Sequence, residues 1–206
     1  MGDTSIPNFD GQSVKGCWAA SLGDCDGKLS REHTISECLF PSGKVTVRGF
    51  DWCHGKEKTI GVSGLVRRIL CGRHNSKLSE LDSAMLEYFK SIHESARLND
   101  LRTKLRQNEW TIKRFELDGR LLERWFLKTL INLNFEGKWK FGDYGETTGV
   151  PPKELVEMAF GRRDFEEYAG MYMAVKSGEA LTMLDGVSVR ALSEKDRLIC
   201  GFAALR

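Results

Sequence analysis

Residues 70–82 read LCGRHNSKLSELD, and residues 29–40 read LSREHTISECLF. In the first stretch Cys71 and His74 stand three apart, just ahead of a segment in which Leu78, Leu81, Met85, Leu86 and Phe89 recur at helical spacing. The pattern predicts a helix of about four turns beginning at Asn75, opened by a pair of metal-ligand residue types. Ahead of the second stretch lie Cys17 and Cys25, in the spacing C-x7-C. Two short-spaced pairs parted by a longer loop supply the four Cys and His ligands that a closed tetrahedral zinc site requires. Cys17, Cys25, Cys71 and His74 are therefore the expected ligands of a structural Zn²⁺ that staples a hairpin to a helix start. The first pair is wider than the usual knuckle, and Cys53-His54 is a rival that could replace Cys25 or His74.

The 206 residues are 41% hydrophobic, enough to bury an ordinary core in one large domain or two small ones, and two are expected. Lys and Arg number 31 against 29 Asp and Glu, so the net charge of +2 creates no global field that argues for nucleic acid. Any such binding has to come from a local patch. No run approaches the roughly 18 consecutive apolar residues of a membrane span, and the start MGDTSIPNFDGQ lacks the parts of a signal peptide. These features predict a soluble, cytoplasmic protein without membrane association. Met1-Gly2 with Ser5 nearby falls one place short of a myristoylation pattern, and no basic cluster follows. In a reducing compartment the six cysteines are not expected to form disulfides, and their clustering suggests metal instead.

Along the chain, residues 1–16 read as an irregular lead-in, and Lys44 to Arg48 alternates as a half-buried strand does. Residues 93–108, HESARLNDLRTKLRQN, suit an exposed connecting helix with Leu98, Leu101 and Leu105 on one stripe, and place a domain boundary after residue 92. Beyond it the pattern predicts a strand over Trp110–Leu117, a turn at Asp118-Gly119, helices over Leu121–Leu133 and Pro151–Phe160, and strands over Met171–Val175, Val187–Ala191 and Leu198–Leu205. The fold class is α+β, with parts 1–92 and 93–206. The chain stops at Arg206 directly after the apolar run Ile199–Leu205, as a piece of a longer protein would.

The dipeptide Glu32-His33 between the two ligand pairs, together with LSREHTISECLF and LCGRHNSKLSELD, resembles the HNH, or ββα-metal, nuclease family in its zinc-stapled bacterial and phage members. His74 stands where that family has a last Cys, Ser36 where proline is common, and Glu32 where Asp is commoner. The resemblance runs from Cys17 to Phe89 and implies an N-terminal ββα-metal module followed by an α+β domain. Carried over by position, His33 matches the general base, Glu32 the acid that holds a catalytic Mg²⁺ or Mn²⁺, and Asn75 a residue that ligates that cation or fixes the base's loop. A histidine suits proton removal near neutral pH, and a hard cation prefers oxygen ligands. Because adjacent strand residues face opposite ways, Asp82, two turns beyond Asn75 in the expected helix, is a substitute ligand; Ser79 shares that face.

The implied function is metal-dependent hydrolysis of DNA phosphodiester bonds, in a bacterial or phage defence setting that rests on the resemblance alone. The alternative is a catalytically silent zinc module that binds nucleic acid or a protein partner; residues 93–206 are expected to bind substrate, a partner or a second copy, or to regulate the nuclease. A thiol enzyme is disfavoured, since no C-x-x-C is present. Arg67, Arg68, Arg73 and Lys77 form a local positive cluster that could hold phosphates or simply be solvated. Structural roles compete at each position: Asn75 as an N-cap, Asp82 as a solvated helix residue, Cys38 and Cys200 as core, His93 as surface, and the stripe Leu122, Trp125, Phe126, Leu130 as packed core.

Overall fold

The computed structural model of the chain describes residues 11–105, 112–142, 145–165, 187–195 and 197–205, with the side chains of 187–193 and 199–205 outside that description. Strand β1 (Leu29–His33) pairs antiparallel with β4 (Val66–Cys71). Between them the chain forms a second antiparallel pair, β2 (Lys44–Val47) with β3 (Lys58–Gly61). Strand β4 runs straight into helix α1 (Gly72–Lys77), and Leu78 alone separates this from the long helix α2 (Ser79–Lys104). Helix α3 (Gly119–Asn134) packs on α2, and α4 (Lys153–Ala159) packs on α3. The last sheet has the order β5-β7-β6: β5 (Lys140–Phe141) lies parallel to β7 (Arg197–Leu205), which pairs antiparallel with β6 (Val187–Glu194). The class is mixed α+β, and among the described residues no helix is long and apolar enough to cross a membrane.

Three expectations are corrected. The helix expected from Asn75 to Phe89 breaks at Leu78, so Asn75 and Asp82 belong to different helices rather than to one face. The strand expected over Trp110–Leu117 is absent where described: residues 112–117 form no regular element. Asp118 is a helix cap and not a hairpin turn, its Oδ1 accepting from the backbone N–H of Arg120 (2.9 Å) and Leu121 (3.2 Å). Among the described residues, no strand pairs with residues 112–117. The strand expected over Met171–Val175 lies outside the described residues.

Among the described residues, the larger of two buried clusters draws on both sides of residue 92. Trp18, Leu70, Leu81 and Met85 from the first part share a buried cluster with Leu122, Trp125, Ile131, Val156 and Leu198 from the second. The boundary expected after residue 92 falls inside α2. Trp125 is completely buried, and truncating such a side chain costs about 3–5 kcal/mol. A small satellite cluster of Val47, Cys53 and Leu65 lies under the β2–β3 pair.

The β1–β4 ladder slips by one residue between Ser30 and Glu32: Leu29 and Ser30 face Cys71 and Leu70, whereas Glu32 and His33 face Arg67 and Val66. Alternation along β1 leaves Arg31 exposed, Glu32 buried and His33 half-buried. This sets the two neighbouring candidates, Glu32 and His33, in different surroundings.

Candidate metal centre and buried polar network

Cys17, Cys25, Cys71 and His74 are all buried, and their Sγ and Nδ1 atoms lie within 4.8 Å of one another. The elements explain the convergence. The wide C-x7-C spacing is taken up by a 3-10 turn, Ala20–Leu22, closed by Gly23 at φ 74°, while the Trp18 N–H bonds the Ile69 carbonyl at 3.0 Å and pins this loop to β4. Cys71 ends β4 and His74 sits in the first turns of α1. Gly72 lies between them because a Cβ there would come within 2.7 Å of Asp26 Oδ2.

The separations fit a tetrahedral ion. Bonds of about 2.3 Å to sulfur and about 2.0–2.1 Å to nitrogen, opened to the tetrahedral angle, place S and N roughly 3.5 Å apart. His74 Nδ1 lies 3.4 Å from Cys17 Sγ, 3.7 Å from Cys25 Sγ and 3.1 Å from Cys71 Sγ. Three thiolates and one imidazole are the donor set of a closed structural zinc site. Burial pushes the Cys17 thiol up to about 12 and raises Cys25 as well, so a cation entering this site has to displace protons. Burial also outweighs Asp24 and holds His74 below its ordinary value, which keeps the imidazole in the neutral form that ligates.

Around the four ligands lies a second set of contacts. His74 Nε2 donates to Asp24 Oδ1 at 2.7 Å, which fixes the tautomer that leaves Nδ1 free for the metal. Asp24 Oδ2 in turn accepts from Lys77 Nζ (2.8 Å) and Arg162 Nη2 (3.2 Å), with Arg73 Nε at 3.4 Å. Against the effect of burial, the Lys77 and His74 contacts hold the Asp24 carboxyl well below the usual carboxylate range. The Cys71 N–H points to Cys17 Sγ at 3.4 Å, and the Phe160 ring lies edge-on to His74 at 5.2 Å. Arg162 and Phe160 come from the end of α4 and beyond, so the second part of the chain closes over the metal centre.

The remaining candidates go elsewhere. Glu32 and Asp82 do meet, but on a lysine that pattern reading placed in an apolar helix: Lys128 Nζ lies 2.9 Å from Glu32 Oε1 and 2.8 and 2.9 Å from the two Asp82 oxygens. Lys128 is 2% exposed. Burial works against its ammonium, yet Glu32 and Asp82 prevail and hold its pKa above the ordinary lysine value. Asn132, one turn on, donates to Glu32 Oε1 (3.1 Å) and accepts from Trp18 Nε1 (3.0 Å). Ser36 donates to Asp82 and accepts from Trp125 Nε1 at 2.6 Å. The network thus links β1, α2 and α3 with every side chain satisfied, as buried polar groups require.

His33 Nε2 stands 3.7 Å from Glu37 Oε2, its imidazole 26% exposed. Asn75 Nδ2 donates to Ser30 Oγ and to the Arg31 carbonyl, both at 3.0 Å, bracing β1 just before His33. Among the described residues, no second set of three Cys, His, Asp or Glu ligand atoms closes as the Cys3His set does. Cys53 packs with Val47 and Leu65, so the rival pair Cys53-His54 is not part of the metal centre. Of the expected phosphate cluster, Arg67 binds the Asn132 and Phe135 carbonyls and Glu136, while Arg73 and Lys77 sit on Asp24; Arg68 is exposed. His93 is half-buried against Phe89, at 4.4 Å between ring centres, rather than on the surface. The side chain of Cys200 is outside the description.

Asp24, Lys128 and Asn132 carry much of this arrangement and were not singled out by pattern. The signal for the last two was a Lys and an Asn four apart on a helix stripe otherwise apolar. No protein-family model, curated protein or solved structure matches the chain.

Proposed function

We propose that the chain is a zinc-stapled ββα nuclease that hydrolyses nucleic-acid phosphodiester bonds with a divalent cation. One observation carries the reading: the antiparallel pair β1–β4 leads directly into α1 across a buried Cys3His cluster, with half-exposed His33 at the end of β1 and Asn75 bonded to the β1 backbone from α1. In this reading zinc organises the module and takes no part in the reaction. His33 accepts the proton of the attacking water, and Asn75 holds the strand that presents it. A Mg²⁺ or Mn²⁺ bound with the substrate would supply positive charge to the scissile phosphate.

The experiment is plasmid nicking by zinc-loaded protein. Cleavage is expected with Mg²⁺ or Mn²⁺, is abolished by removing that cation, and falls by roughly 10²–10⁴ in His33→Ala with zinc content unchanged. Full activity in His33→Ala removes the central claim.

A second reading is favoured by Lys128. Its ammonium already neutralises Glu32 and Asp82, the two carboxylates expected to hold a hard cation, so those oxygens accept Mg²⁺ only if Lys128 withdraws. A zinc module that binds nucleic acid or a protein without cutting accounts for this directly. It predicts no nicking under any divalent cation.

A further inference from the structure

The loop between β1 and β4 carries features that neither the metal centre nor the buried network uses. Residues 34–65 hold four Lys and Arg against three Asp and Glu, and Arg67 and Arg68 follow in β4, Arg67 paired with Glu136. Lys44, Arg48, Lys56, Lys58 and Arg68 are exposed. Among them an aromatic pair reaches the surface. Phe50 and Trp52 stack with ring centres 5.4 Å apart and planes 22° apart, and Trp52 is 40% exposed. Lys58 Nζ lies 5.5 Å from the centre of the Trp52 ring. The pair is anchored, because Trp52 sits in the 3-10 turn Asp51–Cys53, whose Cys53 is fully buried against Val47 and Leu65.

Beside these rings opens a cleft of about 190 Å³, lined in part by Thr34, Phe50, Trp52, Gly64, Arg67 and Leu133. That volume is below the roughly 300–1,000 Å³ of pockets for drug-sized ligands and suits a single planar ring system. Thr34 directly follows His33, and its N–H and hydroxyl both bind the Leu65 carbonyl, at 2.9 and 3.0 Å. The cleft wall and the candidate base are therefore one stretch of backbone.

Exposed aromatic rings among cations are what single-stranded nucleic acid binds: bases stack on the rings and phosphates pair with the ammonium and guanidinium groups. A base inside a duplex has both faces covered by its neighbours, so a base on this platform has left the helix. We propose that Phe50, Trp52 and the adjoining cleft bind an unpaired nucleotide, with the exposed cations of the β2–β3 insert on its phosphates. The placement beside His33 deepens the nuclease reading and rests on it for its use; the binding itself does not.

The test uses the full zinc-loaded chain without added divalent cation, and labelled single-stranded DNA and RNA oligonucleotides beside a blunt duplex of the same sequence. Fluorescence anisotropy should give tighter binding to at least one single strand than to the duplex. Trp52→Ala should weaken that binding about 5- to 150-fold, the loss of one stacked base, while Trp52→Phe retains most of it. Zinc content should not change, since Trp52 contacts no ligand of the metal. Equal binding by Trp52→Ala and the unaltered chain overturns the proposal, as does failure of the folded protein to bind either single strand. Trp52-dependent binding, with no nicking in the separate assay with Mg²⁺ or Mn²⁺, keeps the platform and removes the nuclease; nicking in that assay with Trp52-independent binding does the reverse.

Discussion

Replacing Lys128 by alanine strands two carboxylates that now share one ammonium. At 2.9 Å and an effective dielectric near 20, the attraction of Lys128 to Glu32 alone is about 6 kcal/mol before desolvation is counted. The net effect is smaller, because burial strips both the ammonium and the carboxylate of their hydration. Removing one partner of a buried pair costs about 3–5 kcal/mol, and Glu32 qualifies with 6% of its side chain exposed. Asp82, at 33%, meets water and adds little. At roughly 2–4 °C per kcal/mol for a chain of this size, Lys128→Ala should lower Tm by about 6–20 °C. The assay is a calorimetric melt of zinc-loaded protein, with Lys128→Met/Glu32→Gln as companion, in which the stranded charge is gone and the volume nearly kept. That double variant should recover most of the loss. A single variant within about 2 °C of the parent refutes the reasoning, and a double variant no better than the single shows that packing, not charge, set the cost.

Cys71→Ser should lose zinc and melt lower, measured by metal analysis and calorimetry, because its ligand joins β4 to the Cys17 loop and to α1; a stable variant retaining one zinc refutes the ligand assignment. Asp24→Asn should keep the fold but weaken zinc about 10- to 100-fold in a chelator competition, since the imidazole loses its orienting carboxylate. The pH dependence of the lysine follows from its raised pKa. A cation whose folded value lies above the ordinary 10.5 contributes its full stability below that pH and loses it as pH rises through the folded value. Alkaline unfolding should therefore be less steep in Lys128→Met/Glu32→Gln, followed by circular dichroism between about pH 9 and 12.

The convergence of the three cysteines and His74 was legible from spacing because ligand chemistry restricts residue type: thiols and imidazole are scarce, and four of them in two pairs leave few arrangements. Strands and helices with clean periodicity, such as Lys44–Val47 and α3, were legible for the same reason. The break at Leu78 was not, since helical spacing continues through it on both sides. Nor was the fate of Glu32, Asp82 and Lys128. Their pairing joins positions 46 and more residues apart, and a lysine in a helix is ordinarily read as a solvated face. Asp118 illustrates a different failure, as Asp-Gly suits a hairpin turn and a helix cap equally well, and only the bonds its side chain accepts from the Arg120 and Leu121 N–H groups decide.

The distance in sequence between Asp82 and Lys128 also sets an order of events during synthesis. At about 5–20 residues per second, the 46 positions between them take roughly 2–9 s to translate. For that interval the thiols and His74 have already been made, while Glu32 and Asp82 have no internal cation and Arg162 does not yet exist to cover the metal centre. The nascent first part should therefore wait with β1 open to water and its acids hydrated, and docking of α3 should be the step that dehydrates them. A pause-site or silent-codon change between residues 83 and 128 would lengthen the wait without altering the finished protein, and its yield in cells would report how well the unfinished module tolerates standing alone.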